Sequence, residues 1–167
     1  LLSSASLRTG HFALHTRPTD LEVVIEEALL ATQPLLALKG QYLRVKSPSP
    51  LRSVQTDARR LHQVLINLIS NASKYGPQSA PIIVWVTEES EHVCVRVVDH
   101  GPGIPPEMQE QLFQPFVRHE KDEQSGIGLG LSIVKAIVER HGGTVGVESG
   151  RSGEGTIFWF TLPYAAA

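Results

Sequence analysis

Asn67-Leu68-Ile69-Ser70-Asn71-Ala72-Ser73-Lys74-Tyr75 closes a helical pattern that begins just after Asp57. Leu61, Leu65, Leu68 and Ala72 recur at helical spacing and form one apolar stripe. Asp57 is a good N-cap, and Gly76-Pro77 ends the helix. At about 3.6 residues per turn, Asn67, Asn71 and Lys74 fall within about 60° of one another on the flank of that stripe. Two amide oxygens beside a cation suit a magnesium–polyphosphate. Mg²⁺ takes oxygen ligands and shares substrate phosphates, and an ammonium acts on phosphate as a point charge. Solvated helix residues are the plain alternative. Asparagine is a poor helix former, however, and two of them one turn apart weaken a helix.

Two glycine clusters follow. Asp99-His100-Gly101-Pro102-Gly103-Ile104 comes directly after the strand pattern over 93–98. A carboxylate at a strand end can accept a hydrogen bond from an exocyclic amine such as that of adenine. Gly101 and Gly103 let backbone approach closely and take positive φ. Asp, Gly and Pro are also ordinary turn residues. The second cluster, Gly126-Ile127-Gly128-Leu129-Gly130-Leu131, runs into the apolar helical pattern of Ile133, Val134, Ile137 and Val138. A helix start offers unpaired N–H groups and a dipole that favours phosphate. No Lys-Ser/Thr pair follows, so this is not a Walker loop, and no strand precedes it as a dinucleotide fingerprint requires. Between the clusters, 118–125 is polar and aperiodic. Phe113 and Phe116 read either as core anchors or as the docking points of a hinged lid. In the lid reading, Arg118 or Lys121 reaches the phosphates. Acid, glycine-rich helix start and paired asparagines together supply what a magnesium nucleotide needs.

The remainder of the chain fits one domain of 167 residues. Strands are expected over 12–17, 42–45, around Val54, 82–86, 93–98, 144–148 and 156–162. A helix is expected from Asp20 to Gly40, kinked or broken at Pro34, and a short one from Pro105 to about Leu112. Strands and helices mix without regular βαβ alternation. This predicts an α+β, two-layer sandwich: a mixed, mostly antiparallel sheet with helices on one face. A net charge of −2 leaves no electrostatic footprint for nucleic acid or for an anionic membrane. The single cysteine, Cys94, sits in an apolar run and reads as a buried thiol in a reducing, cytoplasmic setting. Residues 1–10 read as the remnant of an upstream helix or linker, and 11–167 as the domain itself.

These residues resemble the catalytic, ATP-binding domain of bacterial sensor histidine kinases, part of the group shared with DNA gyrase, heat-shock chaperone ATPases and mismatch-repair ATPases. Asn67 to Tyr75 resembles the N box, and Asp99 to Ile104 the first glycine box. Leu112-Phe113-Gln114-Pro115-Phe116-Val117-Arg118 resembles the F box, and Gly126 to Lys135 the second glycine box. The resemblance implies ATP and Mg²⁺ as cofactors, with Asn71 ligating the metal and Asn67 supporting metal and phosphates. It implies Lys74 on phosphate, Tyr75 by the base or ribose, and Asp99 on the adenine amine. Gly101, Gly103 and Ile104 then shape the pocket. Gly126, Gly128, Leu129, Gly130 and Leu131 flank a lid over 104–125 and cradle phosphates, with Arg118 acting on the γ-phosphate. The implied catalytic set is Asn67, Lys74 and Arg118. The implied partners are the dimerisation and phosphoacceptor domain of the same kinase and a response regulator.

Two departures refine the expectation. ATPases of the group carry a general-base Glu where this chain has Asn67, and a neutral amide cannot take a proton. Hydrolysis is therefore expected to be weak and transfer to a protein acceptor favoured. None of the 7 histidines has the context of a phosphoacceptor, so the acceptor belongs to another domain. A serine kinase of the anti-sigma-factor type, or a non-catalytic nucleotide-binding module, are the alternatives.

Overall fold

The computed structural model describes residues 12–114, 127–150 and 155–166. Its elements are β1 (Arg17–Thr19), α1 (Leu21–Ala37), β2 (Tyr42–Lys46), β3 (Val54–Thr56), α2 (Ala58–Tyr75), β4 (Pro81–Glu88), β5 (His92–Asp99), α3 (Pro106–Gln109), α4 (Ile127–Arg140), β6 (Val145–Ser149) and β7 (Thr156–Pro163). Five strands form one sheet in the order β2-β4-β5-β7-β6. Only β2 and β4 run parallel; the other pairs are antiparallel. The expected mixed, mostly antiparallel sheet is therefore present, joined by a small ribbon in which β1 pairs with β3.

Period-two alternation decides which face of the sheet is covered. Val84, Val97 and Phe158 lie in register across the sheet, as do Val86, Val95 and Phe160, and all are buried. The helices cover this face: Leu65 and Leu68 of α2, Leu21 and Ala28 of α1, and Val134 and Ile137 of α4 share its core. The opposite face stays open. Trp85, Arg96 and Trp159 are in register there. The Arg96 guanidinium lies 4.9 Å from the Trp85 ring centroid and Lys46 Nζ lies 5.4 Å from it, so cations shield exposed aromatic surface.

Three local expectations change. The first strand is Arg17–Thr19, not 12–17. Its partner β3 is only three residues long, and the His15 N–H is given to the Asp57 carboxylate instead of a ladder. Phe12 is buried in the core. Pro34 neither ends α1 nor divides it. It sits on the solvent side, where water can reach the Leu30 carbonyl that loses its partner; the Leu30 side chain is 66% exposed. The helix after Pro105 stops at Gln109 and continues only as turns to Phe113. Among the described residues no helix is long and apolar enough to cross a membrane.

Candidate functional site

Asp99 is the last residue of β5 and shares the inward face with Val93, Val95 and Val97. The alternation that buries those valines also turns the carboxylate toward the helix layer, leaving it 2% exposed. Its Oδ1 accepts from the Gly101 N–H at 2.8 Å. Its Oδ2 is buried and has no hydrogen-bond partner. Burial raises the Asp99 pKa, against the lowering effect of the Gly101 and Thr156 N–H groups and of His100. A half-satisfied carboxylate in the interior is costly unless a donor arrives from outside the chain.

The donor-seeking carboxylate lies where α2 ends. A Cβ on Gly76 would come within 3.6 Å of Asp99 Cβ. At Gly101 any Cβ would collide with the Tyr75 carbonyl. Gly101 thus permits a close approach, whereas positive φ is taken by Gly103, at +81°; the two glycines were expected to share both roles. Ile104 is half-buried against the core, and its carbonyl accepts from Gln109 Nε2 and from the Ser149 hydroxyl. An open cavity of about 570 Å³ borders this corner, lined by Tyr75, Pro77, His100, Gly101 and Pro102. A second cavity, lined by His15, Arg17, Arg59 and Arg60 among others, lies at the opposite end of α2 and contains none of the motif residues.

Along α2, Asn71 is buried at 8% exposure, and its Nδ2 has no partner. Asn67 lies one turn earlier and is half-buried, while Lys74 is exposed. The helix start expected at the second glycine cluster is present: α4 begins at Ile127 and includes Gly128, Leu129 and Gly130. A Cβ at Gly130 would meet open space. Leu131, expected among the nucleotide contacts, has its side chain fully buried in the core. Its place on the inward stripe with Val134 and Val138 makes it a packing residue. Phe113 is also a core anchor, edge-on to Phe158 with ring centroids 6.3 Å apart. Phe116, Arg118, Lys121, Gly126 and half of the expected lid lie outside the described residues, as do residues 1–10.

Four contributors escaped the sequence reading. Gly155 donates its N–H to the Gly101 carbonyl and sits at φ +76°, too close to the Asp99 carbonyl for any side chain. His141 is buried, with Nδ1 2.8 Å from the Ile137 carbonyl and Nε2 3.0 Å from both Asp57 N and Thr56 Oγ1. Lys39 and Gln41 reach the carbonyls at the end of α2.

Comparison with known proteins follows the same geometry. Residues 56–166 match the family described as histidine kinase-, DNA gyrase B-, and HSP90-like ATPase. The sensor protein KdpD of Escherichia coli (strain K12) is 36% identical over 168 residues, covering 100% of this chain and 18% of that protein. Full-length ShkA in complex with AMPPNP superimposes with a TM-score of 0.85 at 32% identity, over 98% of this chain and 34% of that one. The nucleotide-free catalytic domain of histidine kinase ThkA gives a TM-score of 0.81 at 29% identity, over 90% of this chain and 96% of that one. ThkA is also known in complex with the response regulator protein TrrA, where the match has a TM-score of 0.77 at 28% identity. The chain spans well under half the length of KdpD and full-length ShkA.

Proposed function

The chain belongs to the histidine kinase-, DNA gyrase B-, and HSP90-like ATPase family, and from that premise we propose that it binds Mg-ATP and hands the γ-phosphoryl group to a histidine on a separate dimerisation domain. The buried, unpartnered Oδ2 of Asp99 carries this reading. The adenine amine supplies the missing donor, while guanine presents a carbonyl at the same position and leaves the carboxylate facing another acceptor. The Nδ2 of Asn71, one turn before the end of α2, is also buried without a partner. It fits a residue whose amide completes its bonding only with ligand present.

In the proposed complex Asn71 holds the metal through its amide oxygen, with Asn67 in support. Bound Mg²⁺ offsets the charge of the phosphates. Lys74 contacts phosphate, and Tyr75 packs by the base or ribose. Gly101, Gly103 and Ile104 shape the pocket floor; Gly126, Gly128, Leu129 and Gly130 present backbone to the phosphates; Arg118 acts on the γ-phosphate from a lid. Holding the phosphoryl group in line and neutralising its charge is most of what phosphoryl transfer requires. Asn67 cannot take a proton from water, which favours transfer over hydrolysis. The partners are a phosphoacceptor hairpin and a response regulator, a pairing supported by the ThkA–TrrA complex. A buried, unpaired Cys94 fits a cytoplasmic setting. Calorimetry tests the binding step: ATP is expected to bind in a Mg²⁺-dependent manner and GTP to bind poorly. Equal affinities for the two nucleotides reject the Asp99 assignment.

A further inference from the structure

We infer that Lys39 and Gln41 form a clasp that positions the C-terminal end of the asparagine helix for nucleotide binding; the inference rests on the nucleotide reading above. A helix leaves its last carbonyls unpaired, and a left-handed glycine usually closes it with backbone bonds. Here Gly76 is extended instead, at φ −73° and ψ 151°. Side chains from the turn between α1 and β2 take over. Lys39 Nζ donates to the carbonyls of Ser73 at 2.6 Å, Gly76 at 3.0 Å and Lys74 at 3.3 Å. Gln41 Nε2 donates to those of Ser73 at 3.0 Å, Pro77 at 3.2 Å and Gly76 at 3.3 Å. The buried Gln41 amide is satisfied at both ends, because its Oε1 accepts the Ser73 hydroxyl at 2.6 Å. The Ser79 N–H donates to the Lys39 carbonyl and closes the loop back on itself.

This arrangement holds the segment that carries Lys74 and Tyr75 from one side. The Asp99–Gly101 turn meets the same segment: a Cβ on Gly76 would touch both Gln41 Nε2 and Asp99 Cβ, and the Tyr75 carbonyl lies against Gly101. A cation at a helix C-terminus is electrostatically favoured, and one that grips three carbonyls also fixes the path by which the chain leaves the helix. Lys39 and Gln41 are thus positioning residues that act through Lys74, Tyr75 and the placement of Asp99. Lys39→Met keeps the length of the side chain and removes its charge and donors. Calorimetry at a temperature where unfolding curves show every variant folded is expected to give about tenfold weaker ATP binding for Lys39→Met. Lys39→Gln, with a single donor group, is expected to fall between, and Lys39→Arg to restore affinity. If Lys39→Met does not fold, the Gln and Arg variants carry the comparison. A parent chain that fails to bind ATP removes the nucleotide reading itself. Parent-like ATP affinity in the folded Lys39→Met or Lys39→Gln variants, with only a lowered unfolding midpoint, overturns the clasp and leaves a simple helix cap.

Discussion

Asp99 is a buried carboxylate at the end of β5. Its Oδ1 is satisfied within the chain and its Oδ2 is not. Replacing it with Ala removes a hydrogen bond to a charged group, so ATP affinity is expected to fall roughly 10- to 150-fold by calorimetry. In the ligand-free domain the stranded Oδ2 disappears with the side chain, but the buried Gly101 N–H loses its acceptor, so stability is expected to fall by no more than about 1–3 kcal/mol. Burial also raises the Asp99 pKa above its ordinary value of 3.8. A carboxyl whose folded pKa is raised contributes stability below its unfolded pKa and loses that contribution as pH rises through the folded value. Nucleotide bound as proposed acts in the opposite sense, because the adenine amine would need the ionised form. ATP affinity is therefore expected to drop as pH falls through the raised pKa, with the acid limb absent in Asp99→Ala. An identical limb in both proteins assigns the titration elsewhere.

At the scale of the elements, α4 and α2 are tied through His141. The Nδ1–H donates to the Ile137 carbonyl, so Nε2 is the acceptor that receives the Asp57 N–H at the start of α2. Burial lowers the His141 pKa from 6.5, against the raising effects of the Ile137 carbonyl and the Asp57 carboxylate. Stability linked to this ring is present above 6.5 and is lost as pH falls toward the lowered folded value. His141→Ala leaves the Asp57 N–H and Thr56 hydroxyl unpaired. Urea unfolding is expected to show a loss of roughly 1–3 kcal/mol near neutral pH and a flatter dependence of stability on pH below it. An unchanged pH slope assigns the effect to another group. The bounds of α2, its Asp57 cap and the strand ending at Asp99 were legible, because cap chemistry and hydrophobic period speak locally. His141 was not: a histidine before Gly142-Gly143 reads as a helix stop, and its Thr56 and Asp57 partners lie more than eighty residues away in the chain. Lys39 was equally silent, since only the packed fold brings it to Ser73 and Gly76. Leu131 belongs both to the glycine-rich motif and to the apolar stripe, and its side chain is buried with the stripe.

Across the whole molecule, one sheet face packs the helices and sets Asp99 beneath the end of α2, while the other remains open. Fold class was readable because element order and alternation constrain the layers. The pairing β2-β4-β5-β7-β6 was not, since nothing local in the sequence states which strands become neighbours. The central claim is that this domain supplies a bound, oriented γ-phosphoryl group to a histidine carried by another domain. It is tested most directly by incubating the chain with γ-labelled ATP and Mg²⁺, with and without a separate helical hairpin bearing the acceptor histidine. No stable label is expected on the isolated chain, with slow release of phosphate and an acid-labile, base-stable label on the hairpin. Stable label on the isolated chain, or acid-stable label on a serine of the partner, contradicts that claim.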